Sequence, residues 1–131
     1  GPLSALCGCV VAAIGAACGV VRLLSGAVPL EVLERRMGAV VRDMVGNITG
    51  MVCDGAKAGC ALKVATAAAT SVQSAMLALE GLAVAATDGI VTDDIELTLS
   101  NLARIGREGM RETDAMVLSM MLEKTGTGTG D

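Results

Sequence analysis

The chain has 131 residues, 53% of them apolar, a formal net charge of −4, and no Phe, Tyr, Trp or His. That length suits one compact domain, whose core must be built from Ala, Val, Leu, Ile and Met, with Gly where backbones touch. The same composition argues against a nucleic-acid partner, since there is no basic stripe and no ring for a base to stack on. It also removes histidine as general base and metal ligand.

The first predicted helix runs from about Ser4 to Leu24, with Ser4 as its N-cap and Ser25-Gly26 as its stop. Its length alone allows a bilayer span. However, Gly8, Gly15 and Gly19 make it only weakly hydrophobic, no Trp or Tyr belt exists, and no basic residue precedes the apolar run as in a signal peptide. A buried helix of a soluble protein, with no membrane partner, is the expectation. Pro29 then suits the first turn of a second helix. Leu30, Leu33, Met37, Val40, Val41, Met44 and Ile48 recur at helical spacing, with Glu31, Glu34, Arg35, Arg36, Arg42 and Asp43 mostly opposite. Asn47, Thr49 and Gly50 end it.

A polar loop follows, MVCDGAKAGC over 51–60. The third helix, about Cys60 to Ala86, is apolar almost all round, which is the pattern of a central, surrounded helix. Thr87-Asp88-Gly89 is a turn, and Thr92, Asp93 and Asp94 start a further helix, with carboxylates at the positive end of its dipole. The last stretch, up to Lys124, is helical in pattern. Gly106 and Gly109 weaken it, and Thr113-Asp114 caps a separate final helix. Met116, Met120 and Met121 read as core. TGTGTGD, 125–131, reads as a disordered tail. No strand and no internal repeat is predicted. The expected fold is all-α: a compact bundle of about four to six small-residue-rich helices over 1–124, belonging to a longer chain.

Five cysteines, Cys7, Cys9, Cys18, Cys53 and Cys60, are an odd number, so a disulfide framework fits poorly and a reducing, cytoplasmic setting is expected. Without His, a metal would be held by thiolates and carboxylates, which favours zinc or iron–sulfur. Cys53 and Cys60 lie seven positions apart around Asp54, Gly55, Lys57 and Gly59, and Cys7 and Cys9 open the first helix. A thiolate site would draw two ligands from the loop and one from that helix. Loop glycines let backbone N–H groups approach cluster sulfides, and Lys57 could offset the charge. The plainer use of cysteine is as a small buried hydrophobe. Cys18, mid-helix among alanines, is read that way; for the loop pair both readings stand.

Lys57 and Lys63 invite a Schiff-base reading through desolvation, but a lysine snorkelling at a helix start is simpler. Ser71, Gln73 and Ser74 either reach neighbouring helices or a pocket, or bond local carbonyls. Arg104, Arg107 and Arg111 fall at near-helical spacing and could clamp a carboxylate bidentately. A solvated face paired with Glu108 and Glu112 is the plainer account.

Three segments in order, SALCGCVVAAIGAACGVVRLL, GMVCDGAKAGCALKVATAA with the following SVQSAMLAL, and NLARIGREGMRETDAMVLSMMLEK, together resemble the C-terminal part of the L-cysteine desulfidase family. That family is related to the alpha-domain of iron–sulfur L-serine dehydratases. The resemblance implies a pyridoxal-independent lyase with a [4Fe–4S] cluster held by three cysteines, its fourth iron open. Cys53 and Cys60 match two ligand positions. The third ligand comes from the LCGC motif, Cys9 in preference to Cys7. An open iron would act as a Lewis acid on the β-thiol or β-hydroxyl of L-cysteine or L-serine. Loss of the α-proton then gives an enamine that hydrolyses to pyruvate and ammonia, with sulfide or water released. Arg104 and Arg107 are the residues for the substrate carboxylate. The base and much of the amino-acid pocket are expected in the missing N-terminal part of the same protein, so the chain alone is expected to be inactive. Two other readings compete: a non-catalytic thiolate or redox-sensing interaction module, and a small-residue helical domain that associates with membranes. Faces left open by the missing part also leave room for a homo-oligomer.

Overall fold

In the computed structural model, residues 4–55 and 57–126 are described. Five α-helices follow one another: α1 (Gly8–Ser25), α2 (Leu30–Ile48), α3 (Lys57–Leu79), α4 (Ile95–Arg104) and α5 (Arg111–Gly126), with a π-helical turn, Ile105–Gly109, between the last two. The fold is all-α, as the sequence predicted.

Helices α1, α2 and α3 form an up-down-up bundle in which each touches the other two. Helices α1 and α3 run parallel, because Cys9 contacts the Lys63 carbonyl and Ser71 Oγ donates to the Ala13 carbonyl at 2.8 Å one level higher. The core is Val10, Ile14, Ala17 and Val21 of α1, Val40, Met44 and Val45 of α2, and Ala67, Ala75 and Ala78 of α3. Each buried Val or Met contributes about 1.5–3 kcal/mol of transfer free energy, and the alanines let the helix axes close up.

Helix α1 starts at Gly8 rather than Ser4. Residues 5–7 are extended because they pair with 51–53: Cys7 N–H donates to Met51 O at 3.0 Å and Cys53 N–H to Ala5 O at 2.7 Å, around an antiparallel Leu6–Val52 bridge. Ser4 is therefore no N-cap. Its hydroxyl donates to Gly106 O at 2.6 Å and accepts the Leu6 N–H.

Helix α3 ends at Leu79, well before Ala86. Gly81 takes φ +76°, its N–H bonds to Ala78 O, and Leu82 N–H bonds to Leu77 O. These are the two closing bonds of a Schellman C-cap. The helix also buries only one face. Leu62, Val64, Val72 and Met76 on the other side are half or more exposed, so α3 is packed on α1 and α2 without being surrounded.

Residues 82–94 strap α3 back to α2. Val84 N–H donates to Asp43 Oδ1 at 2.7 Å, and Arg42 Nε donates to Val84 O at 2.9 Å. Asp94 is the N-cap of α4, its Oδ1 accepting Leu97 N–H. Gly106 lets the π-helical turn lie on the N-terminal segment, since a Cβ there would stand 3.2 Å from Leu6 Cδ2. Thr113 and Asp114 lie inside the first turn of α5 and do not cap it. Helix α5 has no buried residue; Met116, Met120 and Met121 are exposed, contrary to the core role read from sequence. Of the expected tail, Thr125 and Gly126 continue α5, and 127–131 lie outside the described residues. By length and composition alone, α1 and α3 are long and apolar enough to cross a membrane.

Candidate metal centre

Pairing of residues 5–7 with 51–53 is what brings Cys7 and Cys53 to one ladder. Leu6 and Val52 are directly opposed, so Cys7 and Cys53 project to the same face of this short ladder as diagonal neighbours, about 7–8 Å apart at Cα. Cys7 is buried; Cys9, Cys53 and Cys60 are half-buried, and all five thiols are free. Cys9 Sγ lies 3.2 Å from Cys7 Sγ and 3.2 Å from Met51 Sδ. Cys60 is the fourth residue of α3, one turn before Lys63, whose carbonyl touches Cys9. Four cysteines thus stand at the end of the bundle where α1 and α3 begin. Cys18 stands apart, about 13 Å further along α1 at 1.5 Å per residue, and burial raises its thiol pKa.

The electrostatics of this end are set by both helices and by one ion pair. Helices α1 and α3 both direct the positive ends of their dipoles toward this end. Cys9 is pushed up to about 11, first by burial, then by its hydrogen bond to Cys7 and by that thiol's charge, with the Lys63 charge acting the other way. Lys63 Nζ lies 2.8 Å from Asp54 Oδ1. This hydrogen bond raises the lysine pKa, burial opposes it, and the charges of Asp54, Cys53 and Cys7 add to the rise. Lys63 therefore holds the charge-offsetting place that the sequence reading gave to Lys57, which is exposed.

Among the described residues, no group of three or more Cys, Asp or Glu side chains is arranged to hold a single metal ion. Cys7 and Cys9 are together, Cys53 is across the ladder from them, and no bond joins Cys53 to Cys60. The chemistry of the donor set, four thiols and no imidazole, nonetheless fits a thiolate-held cluster better than a hard cation. Gly55, at φ +77°, gives the Cys53 loop its tight course. A Cβ there would stand 2.6 Å from Met121 Sδ, so the loop and α5 meet closely.

Two clefts flank this centre. An apolar one of about 380 Å³ is lined by Ser4, Ala5, Cys53, Gly55, Asp114, Ala115, Val117, Leu118 and Met121. A larger and more polar open cleft of about 700 Å³ is lined by Ser4, Gly106, Arg107, Arg111, Asp114 and Ala115. Ser4, Asp114 and Ala115 are common to both. A third cleft, of about 460 Å³, lies away from the cysteines, between α2 and the end of α3, and carries Arg35, Arg36, Arg42 and Glu80.

Arg104 and Arg107, read from sequence as a carboxylate clamp, are exposed and both reach Glu108: Arg104 Nε at 3.3 Å and Arg107 Nη2 at 3.7 Å. Arg107 lines the open cleft and Arg104 lines neither flanking cleft. The residue that sequence reasoning missed is Asp114, whose Oδ1 accepts the Ala5 N–H. Its acidic character was visible in RETDA, but its partner lies 109 positions away.

Comparison with known proteins adds a family. The family model described as serine dehydratase alpha chain matches residues 1–119. A UPF0597 protein of Oleidesulfovibrio alaskensis is 53% identical over 124 residues, which are 95% of this chain and 28% of that protein. A UPF0597 protein of Bacteroides fragilis is 47% identical over 124 residues, with the same two shares. One of Shewanella pealeana is 42% identical over 122 residues, 93% of this chain and 27% of that protein. The chain thus spans little more than a quarter of the length of these curated relatives. No solved structure matches.

Proposed function

The chain belongs to the serine dehydratase alpha chain family, and we propose on that basis that it is the cluster-bearing part of an iron–sulfur, pyridoxal-independent lyase. The reaction is β-elimination of L-cysteine or L-serine to pyruvate and ammonia, with release of sulfide or water; the likeness of the three sequence segments favours an L-cysteine desulfidase. The observation that carries this reading is that Cys7, Cys9, Cys53 and Cys60 all stand toward the end of the bundle where α1 and α3 begin.

Cys53, Cys60 and Cys9, with Cys7 as the alternative to Cys9, would hold a [4Fe–4S] cluster. When bound, the cluster supplies a Lewis acid for the departing β-substituent. The chain's own residues do the rest. Lys63, fixed by Asp54, adds positive charge beside Cys53 and Cys7. Val117, Leu118 and Met121 give the Cys53 side of the cleft an apolar lining. The Ala5–Asp114 and Ser4–Gly106 bonds tie the segment that leads into Cys7 to α5 and to the π-helical turn. The base that takes the α-proton belongs to the remaining part of the protein, which is also the partner for this chain. A cytoplasmic setting goes with labile thiolates.

The close Cys7–Cys9 contact gives some support to a second reading, a non-catalytic thiolate or redox-sensing module. Cys53→Ser in the full-length protein separates the two. Loss of β-elimination with the fold retained supports the lyase, whereas global unfolding supports a structural metal.

A further inference from the structure

Arg111 opens α5 and Asp114 follows three residues later, so their Cβ atoms stand on one helix face about 5–6 Å apart. Opposite charges at that spacing are within reach of each other. Among the described residues no ion pair joins them: the arginine pairs in this region are Arg104 and Arg107 with Glu108. Asp114 Oδ1 instead accepts Ala5 N–H, which turns its carboxylate inward, while Arg111 is exposed and lines the open cleft with Arg107. Asp114 itself stands where the open cleft and the apolar cleft meet. A cation therefore lies on one side of this joint, an anion at the joint, and a short apolar passage to Cys53 on the other side.

We propose that this joint is a subsite for the zwitterionic end of an α-amino acid, with the ammonium on Asp114, the carboxylate on Arg111 beside Arg107, and the β-substituent directed along the apolar cleft toward Cys53. It deepens the lyase reading and rests on it for the identity of the amino acid. An α-amino acid carries its two charges on one carbon, so it matches an Arg and an Asp that form no ion pair with each other, where a singly charged ligand would match only one of them. A guanidinium takes a carboxylate through two parallel hydrogen bonds. The rival contact of Arg107 with Glu108, at 3.7 Å and exposed, is weak. Arg111 replaces Arg104 in the pair inferred from sequence. The resemblance placed much of the amino-acid pocket upstream; the present geometry assigns both charged poles to this chain.

The test is a titration of the reduced, metal-free chain followed by amide NMR, with L-serine, L-alanine, propionate and ethanolamine as probes. L-serine and L-alanine should give saturable shifts at Gly106, Ala115 and Ala5. Propionate and ethanolamine should bind at least about tenfold more weakly, each lacking one charge-assisted contact. Asp114→Asn keeps an acceptor for Ala5 N–H, and it should weaken L-serine about tenfold and leave propionate unchanged, while Arg111→Gln should weaken both. Arg35→Gln, in the distant cleft, should change nothing. Absence of saturable shifts with L-serine overturns the subsite, as does binding that survives both Asp114→Asn and Arg111→Gln. Since no iron is used, a failed cluster reconstitution refutes the lyase reading and leaves this titration readable, and the converse also holds.

Discussion

Asp43 offers a sharp test of how the strap over α2 is held. It is 7% exposed, its Oδ1 accepts Val84 N–H at 2.7 Å, and its Oδ2 is buried without a partner. Asp43→Ala strands the Val84 N–H and should cost about 1–3 kcal/mol, the penalty for a buried donor left unmade. Asp43→Asn keeps the Oδ1 acceptor and exchanges a buried unpartnered charge for a buried unpartnered amide N–H, so it should cost less than Asp43→Ala. The chain has no Trp or Tyr, so unfolding in urea is best followed by far-UV circular dichroism. The pH dependence carries a sign. Burial raises the Asp43 pKa above 3.8, against the lowering effects of the Val84 bond and Arg42. The folded state then holds the proton more tightly than the unfolded state. The stability this contributes is complete below pH 3.8 and is lost as pH rises through the raised pKa. Asp43→Asn should abolish that slope. An Asn variant as unstable as the Ala variant would refute the reasoning, because the charge, rather than the acceptor, would then be what the fold needs.

Gly55→Ala meets two penalties: φ +77°, worth about 1–2 kcal/mol for an L side chain, and a Cβ 2.6 Å from Met121 Sδ. Faster hydrogen exchange in α5 should report it, with the α1–α2 core unchanged. Ser71→Ala removes the bond from α3 to the Ala13 carbonyl of α1 and should lower stability by about 1 kcal/mol in urea. The chain by itself, supplied with iron and sulfide, should produce no pyruvate from L-cysteine above the free-cluster background; turnover above it would mean that the base lies within these residues.

How much of this was legible in the sequence differs by element. The stripe of Val40, Val41, Met44 and Ile48 in α2 depends only on local periodicity, and those residues are buried. The start of α1 was misplaced because residues 5–7 are recruited into a ladder with 51–53, a contact that no local pattern announces. The stop at Gly81 was masked by the apolar run on both sides, although a glycine after Leu-Glu is the ordinary C-cap signal. Helix α5 carries apolar residues without buried ones, so its methionines could not be sorted from composition. Arg104 and Arg107 were taken as one helical face. The π-helical turn between α4 and α5 interrupts the regular helical phase, and Arg107 and Arg111 line the open cleft whereas Arg104 does not. The family likeness of LCGC and MVCDGAKAGC is what points to Cys9, Cys53 and Cys60, whereas the Asp54–Lys63 pair and the place of Asp114 needed the fold.

The measurement that bears most directly on the central claim is iron and acid-labile sulfide content after anaerobic reconstitution of the full-length protein. The account predicts about four of each per chain, as a [4Fe–4S] cluster requires, with loss in Cys53→Ser and Cys60→Ser and retention in Cys18→Ser. A full complement of iron and sulfide in Cys53→Ser, or its loss in Cys18→Ser alone, would contradict it.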